Sequence, residues 1–317
     1  MIPDRASIAR MPSRLRSRLY WIKVGLLPYG VEGLWRRPVH RARWALRSPA
    51  ALERWVDRRL ALGDDYWLFL LGVSNSGTTI LTRLLASHPE LRVLPKEGQA
   101  LTDALPTGDR AGTGRLWTER LDVFHLTEES DPAPALRARY DWAYHYPRRP
   151  GVLVEKSPPN AVRSRWLQAN FRPSRFLAIV RHPYAVCEGM RRRTRTPIEA
   201  AARQWAVANE VMLADSERLE RVLLLTYEAL TERPDETLER MRVFLDLDAP
   251  FDRSVAERPL RMVNVAGEPR PLENFNLKSL EQLTDEEIAT IDGIAGPMME
   301  RLGYVPLERP AHAGAAT

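Results

Sequence analysis

Five short stretches of this chain carry side chains suited to gripping and moving an anionic group. The first is Gly72-Val73-Ser74-Asn75-Ser76-Gly77-Thr78-Thr79, which follows an apolar run from Leu68 to Leu71 and precedes a helical pattern from Ile80. The backbone N–H groups of such a loop, the N-terminus of the helix behind it and the hydroxyls of Thr78 and Thr79 make a cradle for phosphate-like oxygens. A nucleoside triphosphatase loop, GxxxxGK[ST], carries a lysine that reaches the β/γ-phosphates. Thr78 stands in that lysine's place. The cradle is kept and the γ-phosphate handle is missing, which points to a phosphorylated donor other than a triphosphate. An ordinary Gly/Ser turn between strand and helix is the plainer alternative.

Four more stretches carry candidate groups. Glu97, in Leu94-Pro95-Lys96-Glu97-Gly98-Gln99, follows a short apolar run. At a strand end its carboxylate can take a proton from an attacking hydroxyl, a role worth about 10²–10⁴ in rate; on a surface loop it would pair with Lys96. Lys156 follows Val152-Leu153-Val154-Glu155 and opens Lys156-Ser157-Pro158-Pro159-Asn160. A cation there can stabilise charge on a departing oxygen, or form a solvated pair with its neighbour. The two prolines preset the first turn of a following helix. Arg181 follows Phe176-Leu177-Ala178-Ile179-Val180 and precedes His182-Pro183-Tyr184. Its fork suits a terminal phosphate, and an exposed strand-end Arg is the alternative. Arg191, Arg192 and Arg193 on the next helix add field or are simply solvated. Tyr227, in Leu224-Leu225-Thr226-Tyr227-Glu228-Ala229-Leu230, either flanks an adenine or fills the core.

These groups need elements that bring them together. Apolar runs rich in β-formers lie at 67–72, 151–154, 175–180 and 221–226, and helical patterns at 78–87, 160–170, 183–194, 198–219, 235–246 and 284–302; if Leu91 to Leu94 is a short strand after the first of these helices, Glu97 lies at the same sheet edge. Strand–helix alternation predicts an α/β fold, a parallel β-sheet flanked by helices on both faces, with a P-loop-like anion-binding loop. Short continuous apolar strands fit a sheet covered on both sides. In such sheets ligands sit at the carboxyl edge, where each candidate group falls. The domain is expected over 65–306. Residues 103–150 form an irregular insertion whose Trp117, His125, Trp142, Tyr144 and His145 fit either an acceptor site or an ordinary lid. Residues 1–64 are a basic helical extension with Trp21, Trp35 and Trp44, packing on the domain or lying on an anionic membrane surface. Residues 307–317 read as a disordered tail.

The 317 residues carry a net charge of +6, with 44% hydrophobic and 28% charged residues. That balance supports a sizeable core and favours anionic ligands, but it is too diffuse for nucleic acid, and no nucleic-acid-reading motif accompanies it. Lysine occurs only at 23, 96, 156 and 278, and two of these lie within the candidate stretches. The single Cys187 excludes an internal disulfide and a multi-cysteine zinc site, and points to a reducing, cytoplasmic setting. No stretch has the order of a signal peptide or the ~18–20 apolar residues of a spanning helix.

In sequence order, the SGTT loop, the Lys96-Glu97 segment, Val154-Glu155-Lys156-Ser157-Pro158, the strand ending in Arg181-His182-Pro183 and the strand end Tyr227-Glu228-Ala229-Leu230 resemble the sulfotransferases that use 3′-phosphoadenosine 5′-phosphosulfate. The resemblance runs from about Trp67 to Tyr304. It is nearest to the carbohydrate and tyrosylprotein branches and their bacterial relatives, because of His88-Pro89-Glu90-Leu91, Glu97 and the Glu155-Lys156-Ser157-Pro158 run. The resemblance implies that Ser76, Gly77, Thr78 and Thr79 hold the 5′-phosphosulfate, Glu97 is the base and Lys156 assists departure of the phosphate. Arg181 would bind the 3′-phosphate and Tyr227 would lie by the adenine. The acceptor would be a hydroxyl of a glycan or small molecule, with no metal required. Two positions depart from the pattern: Asn75 stands where the family usually has Lys or Arg, and Gly189 where it usually has Ser bonding the 3′-phosphate. A small-molecule kinase and a non-catalytic anion or membrane-surface binder are the rival readings.

Overall fold

A computed structural model describes residues 32–61, 63, 65–252 and 272–308. Residues 1–31 of the expected extension and 309–317 of the expected tail lie outside the described residues. The chain divides into two compact units, residues 1–55 and 56–317. The first contains α1 (Glu32–Leu46) and the start of α2 (Pro49–Leu60). Within it the Arg43 guanidinium lies over the Trp55 ring, 4.9 Å from its centroid. No described helix is long and apolar enough to cross a membrane.

The second unit is built on five parallel strands: β1 (Trp67–Leu71), β2 (Leu91–Val93), β3 (Val152–Lys156), β4 (Ser174–Val180) and β5 (Val222–Thr226). Their spatial order is β2-β3-β1-β4-β5. Between and after them run α3 (Thr78–Ala86), α4 (Ala133–Ala143), α5 (Ser164–Asn170), α6 (Pro183–Thr194), α7 (Ile198–Ser216), α8 (Tyr227–Glu232), α9 (Pro234–Leu245), α10 (Asn276–Leu280) and α11 (Asp285–Arg301).

Successive side chains of a strand point to opposite faces, and the two faces of this sheet bury different chemistry. Leu68, Leu70, Val152, Val154, Leu177, Ile179 and Leu225 form an aliphatic face under Leu81, Leu84 and Leu85 of α3 and Leu238 and Met241 of α9. Trp67 and Phe69 face the other way into an aromatic cluster. Phe171 lies at its centre, with ring centroids 5.1 Å from Trp67, 5.3 Å from Phe69, 5.5 Å from Trp142 of α4 and 5.8 Å from Trp166 of α5. The expected sheet covered on both faces is therefore present.

Two local expectations change. The helix expected over 160–170 is a 3₁₀ turn, Pro158–Val162, followed by α5. Two prolines without N–H groups suit a tight i→i+3 turn, closed by Asn160 N donating to Ser157 O at 2.9 Å. Tyr227 is not a strand residue but the first residue of α8, because the Thr226 hydroxyl caps that helix by accepting from Ala229 N at 3.0 Å. Residues 103–150 fold into short turns and α4, with Trp117 and Trp142 buried in the core. Those two rings are packing, not an acceptor platform.

Truncating Phe171 removes four aromatic contacts at once. Phe171→Ala is expected to cost about 3–5 kcal/mol, seen as a lower urea midpoint with an unchanged m-value. A loss below about 1 kcal/mol would show that this cluster does not hold the second face.

Candidate active site

The pairing register lines up the candidate groups. Leu70 of β1 is level with Lys156 of β3, Leu71 with Ala178 of β4, and Val180 of β4 with Thr226 of β5. Consequently the loop after β1, Lys156 at the end of β3, Arg181 after β4 and Tyr227 after β5 share the carboxyl edge of the sheet. The central strand carries the loop.

In that loop Asn75 and Gly77 adopt positive φ, 73° and 95°. A Cβ on Gly77 would lie 2.8 Å from Cδ2 of Tyr227, so only glycine lets the turn pass this close to the ring. Ser76 and Thr78 are buried, and Thr79 is exposed at the first turn of α3. The Asn75 side chain leans on α6: a Cβ on Gly189 would lie 3.1 Å from its Cγ and 3.2 Å from its Nδ2. That Nδ2 is buried without a hydrogen-bond partner among the described residues. The two positions that depart from the family pattern thus touch each other.

Glu97 pairs with Lys156, whose Nζ donates to Glu97 Oε1 at 2.6 Å. Gln99 Nε2 donates to Oε2 at 3.0 Å. The Lys156 side chain is 15% exposed and that of Glu97 37%, so the carboxylate keeps an open side. Beneath it lies Glu155, only 1% exposed. Glu155 Oε1 accepts from Gly98 N at 2.8 Å and from Ser157 Oγ at 2.6 Å, and Oε2 accepts from Asn160 Nδ2 at 2.5 Å. Ser157 Oγ in turn accepts from Gln99 N at 3.1 Å. Asn160 Oδ1 takes two bonds from the fully buried Arg163, at 3.0 and 2.9 Å. Burial pushes the Arg163 guanidinium down to about 10, against the pull of Glu155 and Glu97.

Arg181 lies over the Tyr227 ring, its guanidinium carbon 3.9 Å from the centroid. It donates through Nε to Asn276 Oδ1 at 2.8 Å and through Nη1 to the Asn75 carbonyl at 3.1 Å. Burial lowers its pKa from the usual guanidinium value, opposed by Tyr227 and Glu228. Glu228 Oε1 accepts from His182 N at 3.0 Å and Asn276 Nδ2 at 2.6 Å, and Oε2 from Tyr304 Oη at 2.9 Å. Tyr227 is itself buried and donates through its hydroxyl to Glu273 O at 2.7 Å. What Tyr227 directly supports is the loop at Gly77 and the plane of Arg181.

Of the three arginines on α6, Arg191 pairs with Glu287 of α11 and Arg192 with Glu188, whereas Arg193 is exposed. His125 lies 3.4 Å from Asp215, and burial holds His145 down to about 4. The residues missed in the sequence are the holders: Glu155, Asn160, Arg163, Asn276, Glu228 and Tyr304. Glu155 and Glu228 each adjoin a residue already singled out, but nothing local marks them as buried or bonded.

A strand–loop–helix unit with a Lys–Glu pair and an Arg at one edge of a parallel sheet belongs to the P-loop-like α/β class of fold. The profile of the Sulfotransferase family matches residues 68–252, and the chain belongs to that family. It is 24% identical over 268 residues to protein-tyrosine sulfotransferase A of Caenorhabditis elegans, covering 78% of this chain and 70% of the relative. It is 25% identical over 275 residues to nodulation protein NoeE of Sinorhizobium fredii, covering 74% of this chain and 65% of that protein. The fold is shared with sulfotransferase STF9 of Mycobacterium avium, with a TM-score of 0.52 at 18% identity over 82% of this chain and 83% of that one. The sulfotransferase domain of the Synechococcus PCC 7002 olefin synthase has a TM-score of 0.51 at 22% identity, over 77% and 96% of the two chains. The chain is a sulfotransferase-family transferase.

The contact between Asn75 and Gly189 predicts coupled substitutions. Gly189→Ala alone is expected to be destabilising by up to about 1–3 kcal/mol through overpacking against Asn75. In an Asn75→Ala background the same change is expected to be neutral or to stabilise by up to about 1 kcal/mol, the helix gain of Ala over Gly. Urea unfolding of the four proteins checks this; effects that add within about 0.5 kcal/mol would show that the two residues are independent.

Proposed function

We propose that the protein transfers a sulfuryl group from 3′-phosphoadenosine 5′-phosphosulfate to a hydroxyl of a carbohydrate or other small molecule. The observation that carries this is the 2.6 Å contact between Lys156 Nζ and Glu97 Oε1, which sets a cation and a carboxylate base at one edge beside the lysine-free loop. The residues fit such a donor. Gly77 lets the loop close against Tyr227, where a Cβ would lie 2.8 Å from the ring, Asn75 Nδ2 is a buried donor without a partner among the described residues, and Arg181 is held over Tyr227 by its bond to Asn276.

The chemistry then divides among residues of this chain. Glu97 takes the proton of the acceptor hydroxyl as its oxygen attacks sulfur. The bond from sulfur to the bridging oxygen breaks, and that oxygen leaves with the bisphosphate, its new charge met by Lys156 and the loop amides. Ser76, Thr78 and Thr79 hold the 5′-phosphosulfate, while Arg181, beside Asn75 and Gly189, faces the 3′-phosphate. No step calls for a metal, since these groups supply the charge that Mg²⁺ supplies in kinases. Relatives of the chain include a protein-tyrosine sulfotransferase and a nodulation protein, so a phenolic hydroxyl belongs among the acceptors assayed. A reducing, cytoplasmic setting is part of this proposal, supported by Cys187 being the sole cysteine of the sequence.

Adenosine 3′,5′-bisphosphate at about 100 times its Kd is expected to stabilise the fold by about 2.7 kcal/mol and raise Tm, whereas ATP with Mg²⁺ is expected to leave Tm unchanged. The reverse result would favour a kinase. Transfer of radiolabel from the donor to pooled glycans, phenols and tyrosine peptides tests the reaction itself.

Glu97→Gln keeps the size and hydrogen-bonding reach of the side chain but cannot take the proton. It is expected to cut kcat by roughly 10²–10⁴ with bisphosphate affinity nearly unchanged. A fall of less than about threefold, measured at saturating donor, would remove Glu97 from the role of base.

A further inference from the structure

Glu97 is gripped from two sides by neighbouring residues of one strand. Glu155 and Lys156 are consecutive at the end of β3 and so point to opposite faces of the sheet. Lys156 bonds the Glu97 carboxylate. Glu155 bonds the main chain immediately after it, at Gly98 N directly and at Gln99 N through the Ser157 hydroxyl. We infer that Glu155 is a positioning residue, which sets where the Glu97 carboxylate stands relative to Lys156 and the phosphate loop.

Three features support this. A carboxylate that accepts three hydrogen bonds at 2.5–2.8 Å while 1% exposed is a rigid anchor, because charge-assisted bonds are the strong ones. Its charge is balanced by buried Arg163 through Asn160, so the anchor does not depend on solvent. Gly98 is fitted to it: a Cβ there would lie 2.5 Å from Glu155 Oε1. The Gly98 carbonyl is held from the other side by Trp142 Nε1 at 2.9 Å. The segment carrying the base therefore has no room to shift toward β3 and is bonded against moving away.

The inference rests on Glu97 being the base, so Glu97→Gln is measured beside the test variants. Gly98→Ala pushes the segment off Glu155, and Glu155→Asp withdraws the carboxylate by one methylene. Displacing a reacting group by about 1 Å can cost roughly 10²-fold. Each single variant is expected to lose at least about tenfold in kcat, with bisphosphate Kd within about twofold of the parent. The double variant, where the shorter side chain makes room for the methyl group, is expected to exceed the product of the two single effects by at least about tenfold. A purely structural role would instead lower Tm and affinity together and show no such rescue. If Gly98→Ala does not fold, Glu155→Asp alone decides by the same split between kcat and Kd. Folded variants whose kcat stays within threefold of the parent, or whose effects multiply without rescue, overturn the inference. If Glu97→Gln retains turnover, Glu97 is not the base and the inference about Glu155 falls with it, whereas the proposed transfer itself fails only if the parent protein moves no label from the donor.

Discussion

Parallel pairing of β1 between β3 and β4 is the constraint on which the site depends. It makes Leu70 level with Lys156 and Leu71 level with Ala178, so the loop, Lys156 and the strand-end arginine emerge side by side. A parallel strand end delivers one residue to the edge and sends its neighbour to the opposite face. Phe69 and Glu155 are paired in register, and this alternation puts Glu155 on the aromatic side while Lys156 takes the other. The aromatic cluster matters to chemistry for the same reason: Trp142 packs on Phe171 and also holds the Gly98 carbonyl. One side chain thus joins the core to the segment that carries Glu97.

The other half of the site is held by charge stacked in layers. Tyr227 lies against Gly77, Arg181 lies on Tyr227, Asn276 bonds Arg181, and Glu228 bonds Asn276 and Tyr304. Each layer contacts the next, so a guanidinium with several rotatable bonds is fixed by the ring and by its bonds to Asn276 and the Asn75 carbonyl. Such preorganisation keeps the entropy of ordering the side chain out of the binding step. It also draws α10 and the segment after α11 into the site, although neither carries a motif.

Legibility in the sequence followed locality. The five strands and the helix starts at Thr78, Pro183 and Ile198 were readable because apolar runs, prolines and the glycine loop are local signals. Glu97, Lys156 and Arg181 were readable as strand-end charges. Their partners were not. Glu97 has Lys96 as its nearest cation in sequence, but β2 and β3 pair in parallel, which brings Lys156 across 59 residues. Asn276 was invisible because it reaches Arg181 from 95 residues away. The turn at Pro158 and the capping of α8 by Thr226 were misread because helix and strand periods do not separate over five or six residues.

Asn75 and Gly189 show why the departures from a family pattern belong together in space. Read one at a time, the first removes a cation from the loop and the second removes a hydroxyl from α6. In the fold the Asn75 amide occupies the space that a side chain at 189 would need, with its Cγ 3.1 Å from a Cβ built there. The backbone carbonyl of Asn75 also accepts from Arg181 Nη1, so the position of this residue bears on the loop, α6 and the strand-end arginine together. A long cation at 75 would have to leave that space, and a hydroxyl at 189 would have to enter it. Close packing makes such exchanges joint rather than independent. The pair therefore forms a second way of filling one corner of the cradle, with a neutral amide in place of a cation and a hydroxyl.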